Sequence, residues 1–273
     1  MLAIQKDHVM SDAEVLVVLP TLGDRLDTLA QTLRSVDQQR EDLSVTLVVV
    51  APISATAARK LALAHGALVV DDPKEGISAA INCGLAARSG ETYYAWVGDD
   101  DLFRPRGLAT LKVELERSPK AVLAFGGCDY IDTEGRVITV SNAGRLATLL
   151  LWCGPDLIPH PATMIRLDAL EAIGGFDASL KYAMDLDAFL KLRAHGRFAW
   201  TRTSVSAFRW HADSLTVANR RESSQEAERV KRSHLPSALR PVSGAWHYPI
   251  RWASAAAAAG LTARARSLAG TSS

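Results

Sequence analysis

Three consecutive carboxylates, Asp99, Asp100 and Asp101, follow directly on a short apolar, aromatic run at 93–97 (Tyr-Tyr-Ala-Trp-Val) and a single glycine, Gly98. Carboxylates this close repel: a pair about 4 Å apart costs roughly 1 kcal/mol in water and about 4 near a protein surface. A cation removes that cost, and a hard, oxygen-seeking ion such as Mg²⁺ or Mn²⁺ suits such ligands. The run before them reads as a buried strand. In open α/β sheets, ligands bind outside the carboxyl ends of the strands, which is where this triplet falls. The competing reading is a solvated acidic loop leading into the helix that starts near Arg106. The surrounding elements decide between the two.

Residues 15–19 (Val-Leu-Val-Val-Leu) form a continuous apolar run, the mark of a central strand buried on both faces, and Pro20-Thr21-Leu22-Gly23 stops it. Asp24 is placed to cap a following helix, with Leu26, Leu29, Ala30, Leu33 and Val36 on one face. Further strands are expected at 45–50 and 67–70, and helices at 55–65 and 77–88. Strand and helix alternating at this rhythm predict an α/β fold: a mostly parallel central sheet with helices on both faces. Beyond Asp101 the pattern predicts a helix at 108–116, a strand at 121–125 and a turn at 132–135 that opens a hairpin. A short helix at 146–152 and a strand at 163–165 come next, then a tight turn at Gly174-Gly175-Phe176-Asp177 and a helix carrying Leu186, Phe189 and Leu190. The glycine-rich turns of dinucleotide folds and P-loops are missing after the first strand.

At 273 residues and net charge +1 the chain has ample core and no bias toward polyanions, so nucleic acid is not an expected partner. Cys83, Cys128 and Cys153 are odd in number and lack metal-binding spacing, which suggests reduced thiols. The first residues lack the apolar core of a signal peptide, and no apolar run reaches the ~18 residues of a membrane span. A cytoplasmic protein is expected. From Arg229 onward there are seven basic residues and no acidic ones, so 229–273 reads as a basic, helical C-terminal tail appended to a domain at 1–228.

The order of these motifs resembles the family 2 glycosyltransferases with the GT-A fold. The matching pieces are 20–25 (Pro-Thr-Leu-Gly-Asp-Arg), 76–84 (Gly-Ile-Ser-Ala-Ala-Ile-Asn-Cys-Gly), Asp99-Asp100-Asp101, Gly174-Gly175-Phe176-Asp177 and Met184-Asp185-Leu186-Asp187. The resemblance implies a nucleotide-diphosphate sugar donor of UDP, dTDP or GDP type. Pro20, Thr21, Gly23 and Arg25 would hold it after the first strand, with Gly76, Ile77, Asn82, Asp99, Asp100 and His160 around it. It further implies a divalent ion, Mn²⁺ or Mg²⁺, on Asp99 and Asp101, with His211 as a third ligand. Asp185 would be the base that takes the acceptor's proton as its hydroxyl attacks, with inversion at the sugar carbon. Each assignment has a plainer counterpart: a helix-terminal acid for Asp185, helix packing for Asn82, a satisfied histidine for His160, a packed aromatic segment for His211. Asp187, about 200° round a helix from Asp185, is read as structural.

Two departures stand out. Where the family has an acidic turn that reads the base after the second strand, this chain has Ala51-Pro52-Ile53-Ser54, so Asp71 and Asp72 on the next strand are the candidates to compensate. The family's Glu-Asp pair appears as Met184-Asp185. Arg209-Trp210 without membrane spans points to a single transfer rather than processive synthesis, with a glycan or lipid-linked acceptor in cell-envelope polysaccharide, glycolipid or natural-product glycan synthesis. Rival readings are a sugar-nucleotide pyrophosphorylase, for which 22–25 is a poor loop, and an inactive nucleotide- or glycan-binding scaffold. The tail, with Trp246, Tyr248, Ile250 and Trp252 among its charges, is open to two readings: peripheral contact with the inner face of the cell membrane, or a fold-back or homodimer contact.

Overall fold

A computed structural model describes residues 13–142, 144–210, 219–242 and 259–260. The first half runs β1 (Val15–Pro20), α1 (Leu26–Gln39), β2 (Val45–Ala51), α2 (Thr56–Ala64), β3 (Leu68–Asp71), α3 (Ile77–Leu85) and β4 (Tyr93–Trp96). β5 (Leu102–Phe103), α4 (Gly107–Arg117), β6 (Ala121–Ile131), β7 (Val137–Ser141) and α5 (Gly144–Leu150) follow. The chain continues through β8 (Thr163–Arg166), α6 (Leu167–Ala172), α7 (Met184–Leu192), β9 (Arg197–Arg209) and α8 (Arg220–His234).

The strands form one sheet in the order β3-β2-β1-β4-β8-β6-β9-β5, with β7 alongside β6. β3, β2, β1 and β4 are mutually parallel, as the strand–helix alternation predicts. Beyond β4 the sheet is mixed. β8 runs antiparallel to both β4 and β6, β7 and β5 pair antiparallel with β6 and β9, and only β6 and β9 are parallel. The run of four consecutive parallel strands is thus confined to one half of the sheet.

β1 is buried on both faces, and its residues alternate between two apolar layers. Leu16 and Val18 pack with Ala80 and Ile81 of α3 and with Met184 and Phe189 of α7. Val15, Val17 and Leu19 pack with Leu29, Leu33 and Val36 of α1, Ala58 and Ala62 of α2, and Leu108, Leu111 and Leu115 of α4. Each such side chain contributes roughly 1.5–3 kcal/mol on burial, so the two layers fix the height of β1 and of its neighbour β4. α3 lies close on the sheet because Gly84 allows it: a Cβ there would stand 2.5 Å from Cγ1 of Val18.

Three details differ from expectation. Asp24 does not cap α1; Arg25 occupies the cap position and no side chain bonds the first turn. Leu26 is 41% exposed, so the apolar stripe of that helix begins at Leu29. The boundary expected at 228/229 falls within α8, whose Glu226, Val230 and Lys231 are all buried. Of the cysteines, all unpaired, Cys128 is buried and Cys83 and Cys153 are partly so.

Candidate active site

The carboxyl ends of β3, β2, β1 and β4 lie on one edge, and β8, being antiparallel, begins at that same edge. The acidic triplet leaves β4 there. Thr21, just past β1, is 6% exposed, and its Oγ1 donates to Oδ2 of Asp99 at 2.6 Å while accepting the N–H of Gly23 at 3.0 Å. Gly23 has φ +83°, and a Cβ there would meet Cβ of Ala55 at 2.5 Å, so this turn needs glycine for both backbone and space. Arg25 reaches Asp100 at 2.6 Å and Asp99 at 4.0 Å. The loop after β1 and the loop after β4 are therefore one hydrogen-bonded unit, which brings Pro20, Thr21, Gly23, Arg25, Asp99 and Asp100 together.

Asp101 turns inward and is 1% exposed. Its Oδ1 accepts the backbone N–H of Arg209 at 2.9 Å, and Oγ1 of Thr32 donates to its carbonyl at 2.7 Å. Arg209, itself buried, braces the turn from below. Its guanidinium donates to the carbonyls of Asp100, Asp132 and Thr133 and to Oε1 of Gln31, all within 3.0 Å. In the sequence Arg209 stands out only as part of an Arg-Trp pair; its contacts to the acidic turn come from residues distant in the chain and leave no local signal.

Burial and the Asp100 charge push the Asp101 carboxyl well above the usual carboxylate range. Asp99 is also raised, chiefly by burial and then by Asp100, against the Thr21 hydrogen bond that lowers it. Two carboxylates held at a cost in one oxygen-only cluster are the chemistry a hard divalent cation relieves, so the donor set fits Mn²⁺ or Mg²⁺. No group of three His, Cys, Asp or Glu side chains with metal-binding geometry occurs among the described residues. His211 lies outside the described residues; the chain before it reaches the triplet at Arg209.

Gly76, at φ +99° and ψ 172°, opens α3 in a conformation only glycine adopts readily, with nothing within 4 Å of the place its Cβ would occupy. Ile77 packs partly buried against the core. Ser78 Oγ donates to the carbonyl of Leu180 at 2.8 Å and lies 3.1 Å from Sδ of Met184, tying the start of α3 to the start of α7. Asp72 directly follows β3, two strands from Thr21 and roughly 10 Å away at sheet spacing, and its Oδ1 accepts the N–H of Lys74. Its neighbour Asp71 pairs with Arg59 at 2.8 Å.

Two of the residues expected at the donor are engaged elsewhere. Both ends of the Asn82 amide are committed to the backbone of Phe176, Nδ2 to its carbonyl at 2.6 Å and Oδ1 from its N–H at 3.0 Å, so Asn82 holds the turn at Gly174 and Gly175. His160 lies inside the core, 4% exposed and stacked on Trp96 at 4.6 Å, with Tyr94, Phe176 and Phe189 around it. Burial lowers its pKa to about 3, so it stays neutral.

Asp185 stands in the first turn of α7, partly exposed, its Oδ1 accepting the N–H of Leu186 at 2.8 Å. Burial, and then the charge of Asp156, raise its pKa to about 7. The same carboxylate adds to the burial that holds the Tyr94 phenol up, so it lies within electrostatic range of β4. Asp156, itself raised to about 6 by burial, carried no sequence signal beyond its place after Gly154-Pro155. Asp187 is buried and bonds His234 at 2.8 Å and Lys191 at 2.7 Å.

An α/β sheet of this order with an acidic turn at the edge of its parallel half defines the GT-A class of folds. Residues 16–174 match the model of glycosyl transferase family 2, more than half of the chain, and the chain belongs to that family. The match covers Thr21 and the acidic triplet and stops short of Asp185. An uncharacterized glycosyltransferase of Rickettsia prowazekii (strain Madrid E) is 26% identical over 172 residues, covering 60% of this chain and 51% of that protein. A second, from Rickettsia typhi (strain ATCC VR-144 / Wilmington), matches equally, so the chain spans about half the length of these curated relatives. Among solved structures, S. aureus TarS 1-349 in complex with UDP-GlcNAc is similar with a TM-score of 0.62 at 14% identity, covering 83% of this chain and 69% of that one. The mannosyltransferase PcManGT from Pyrobaculum calidifontis, in complex with GDP-Man and Mn²⁺, has a TM-score of 0.61 at 19% identity, covering 94% and 80%. At these identities the likeness defines the fold.

Proposed function

We propose that the protein is a metal-dependent glycosyltransferase that moves one sugar from a nucleotide-diphosphate donor to a hydroxyl acceptor with inversion. The observation that carries this reading is the hydrogen-bonded unit of Thr21, Arg25, Asp99, Asp100 and Asp101 at the edge of the parallel strands. That edge is where nucleotides bind on such sheets. UDP-GlcNAc and GDP-Man are bound by two proteins of the same fold, which supports a sugar-nucleotide donor of UDP, dTDP or GDP type here.

In this reading Pro20, Thr21, Gly23 and Arg25 cradle the nucleotide, Asp72 closes its far side, and the open backbone at Gly76 and Ile77 lets the donor approach α3. Asp99, Asp101 and His211 would hold Mn²⁺ or Mg²⁺, which when bound supplies Lewis acidity and charge neutralisation for the departing diphosphate. Asp185 accepts the proton of the acceptor hydroxyl while that oxygen bonds the anomeric carbon and the diphosphate leaves. One base and one displacement give inversion. Heat denaturation with Mn²⁺ and a panel of nucleoside diphosphates tests donor binding. At about 100 times its Kd the right nucleotide stabilises by about 2.7 kcal/mol, a melting shift on the order of 5–10 °C. A shift with none of them would remove the donor site from the account.

The raised pKa of Asp185 makes a second expectation. A general base works deprotonated, so kcat should rise with pH through about 7 and level off above it. Asp156→Asn removes one of the charges that hold Asp185 up and should move that limb to lower pH. A limb unmoved by Asp156→Asn would assign the titration to another group.

The described residues contain no helix long and apolar enough to cross a membrane. The aromatic and basic tail residues Trp246, Tyr248, Ile250 and Trp252 lie outside the described residues.

A further inference from the structure

α8 lies beyond the family match, and no apolar stripe announces it in the sequence. Besides Val230 and Ala227, which pack on the core, it is attached to the body through polar groups, and these converge on the segment that carries Asp185. Glu226, 5% exposed, places a single carboxylate oxygen, Oε1, against three consecutive backbone N–H groups: Lys181 at 3.0 Å, Tyr182 at 2.6 Å and Ala183 at 2.8 Å. Successive N–H groups converging in this way form an anion-binding nest, and here the anion is supplied by the chain itself. Its other oxygen, Oε2, lies 4.0 Å from Arg229. Asp185 follows the nest by two residues.

Further ties run to the same stretch. The Tyr182 hydroxyl donates to Glu222 of α8 at 3.0 Å, and His234 of α8 meets Asp187 at 2.8 Å, one residue on each side of the Ala183–Leu186 start of α7. Lys231, buried, donates to the carbonyl of Gly154, two residues before Asp156. A buried carboxylate is costly unless its lone pairs are bonded, and apolar packing would attach a helix at less cost. The cost is offset here by fixing backbone, and the backbone fixed is that of the turn that aims Asp185.

We infer that Glu226 is a positioning residue: by filling the nest at 181–183 it holds the first turn of α7 so that Asp185 meets the acceptor hydroxyl. The inference rests on Asp185 being the base. Misplacement of a reacting group by about 1 Å can cost up to roughly 10²-fold in rate, whereas the Thr21, Arg25 and acidic-turn part of the donor site is built on other elements and should not notice.

The test is steady-state kinetics on the full chain with Glu226→Ala, Glu226→Gln, Asp185→Asn and the double variant Glu226→Ala/Asp185→Asn. Glu226→Ala should lower kcat by about 10-fold or more at an unchanged donor KM. Glu226→Gln, which keeps an oxygen acceptor in the nest, should stay within about threefold of the parent. In the Asp185→Asn background, Glu226→Ala should cost nothing further, since the group it aims is gone. Unchanged kcat in Glu226→Ala, equal loss in the two backgrounds, or equal impairment of the Ala and Gln variants would each overturn the inference. A slow Asp185→Asn beside a normal Glu226→Ala defeats only the positioning role. A normal Asp185→Asn defeats the base assignment, and this inference with it. If Glu226→Ala does not fold, Glu226→Asp, one methylene short of the nest, carries the same expectation of reduced kcat at constant donor KM.

Discussion

Asp185→Asn should bind the sugar-nucleotide donor almost normally and transfer at least about 10²-fold more slowly, within the 10²–10⁴-fold that general-base help is worth. That loss corresponds to roughly 2.7 kcal/mol or more of transition-state stabilisation. The substitution is close to isosteric, and the hydrogen bond from the Leu186 N–H can go to the amide oxygen, so α7 should keep its first turn. It also removes a carboxylate that burial and Asp156 already disfavour as an anion, so stability should not fall. The expected signature is therefore a kcat effect with donor KM and melting temperature in place. Turnover equal to the parent's would move the proton acceptor elsewhere. Asp129 is a poor substitute, since it is engaged by Arg104 and Ser204.

Asp101→Ala should lose the Mn²⁺-dependent part of nucleotide binding while remaining folded. Loss of an outer-shell partner typically costs 10–100-fold in metal affinity, so removal of a direct ligand should cost at least about 10²-fold. Folding should survive because two effects oppose each other. The Arg209 N–H is left without its acceptor, at roughly 1–3 kcal/mol, but a buried carboxylate beside Asp99 and Asp100 is removed. Chelation by EDTA should abolish transfer by the parent. Calorimetric titration of nucleoside diphosphate with and without Mn²⁺ reads the effect. Mn²⁺ enhancing binding equally in parent and variant would take Asp101 out of the metal site.

The N-terminal half was legible because its signals are local and periodic. The run at 15–19 is wholly buried, and the alternating helices lie where their apolar faces require. The acidic turn was legible from charge alone. What the sequence hid is of another kind. β5 is two residues wedged between the triplet and Pro105, too short for any period. β6 runs on to Ile131 through Gly126 and Gly127, which read as a strand end but instead let β9 come close: a Cβ on Gly126 would meet Val205 at 2.7 Å. The direction of β8 follows from tertiary pairing that apolar pattern does not encode.

In the candidate site, the charged residues at a strand end were legible in the sequence, and those engaged through partners distant in the chain were not. The resemblance places Asn82 at the donor, yet its amide bonds a backbone 94 residues away. Arg209, Asp156 and Glu226 gain their roles from contacts made between elements distant in the chain. α8 is mostly polar, with Ala227 and Val230 its only apolar side chains, and its buried Glu226 and Lys231 make hydrogen bonds rather than extend an apolar face.

The central claim is tested most directly by incubating the full chain with Mn²⁺ and UDP-, dTDP- and GDP-sugars, water supplying the acceptor hydroxyl, and measuring released nucleoside diphosphate. The account predicts release from one nucleotide class, dependent on the metal and slowed by Asp185→Asn. No release above the uncatalysed rate from any of the three, in a protein that still binds the nucleotide, would contradict it and leave a nucleotide-binding scaffold in its place.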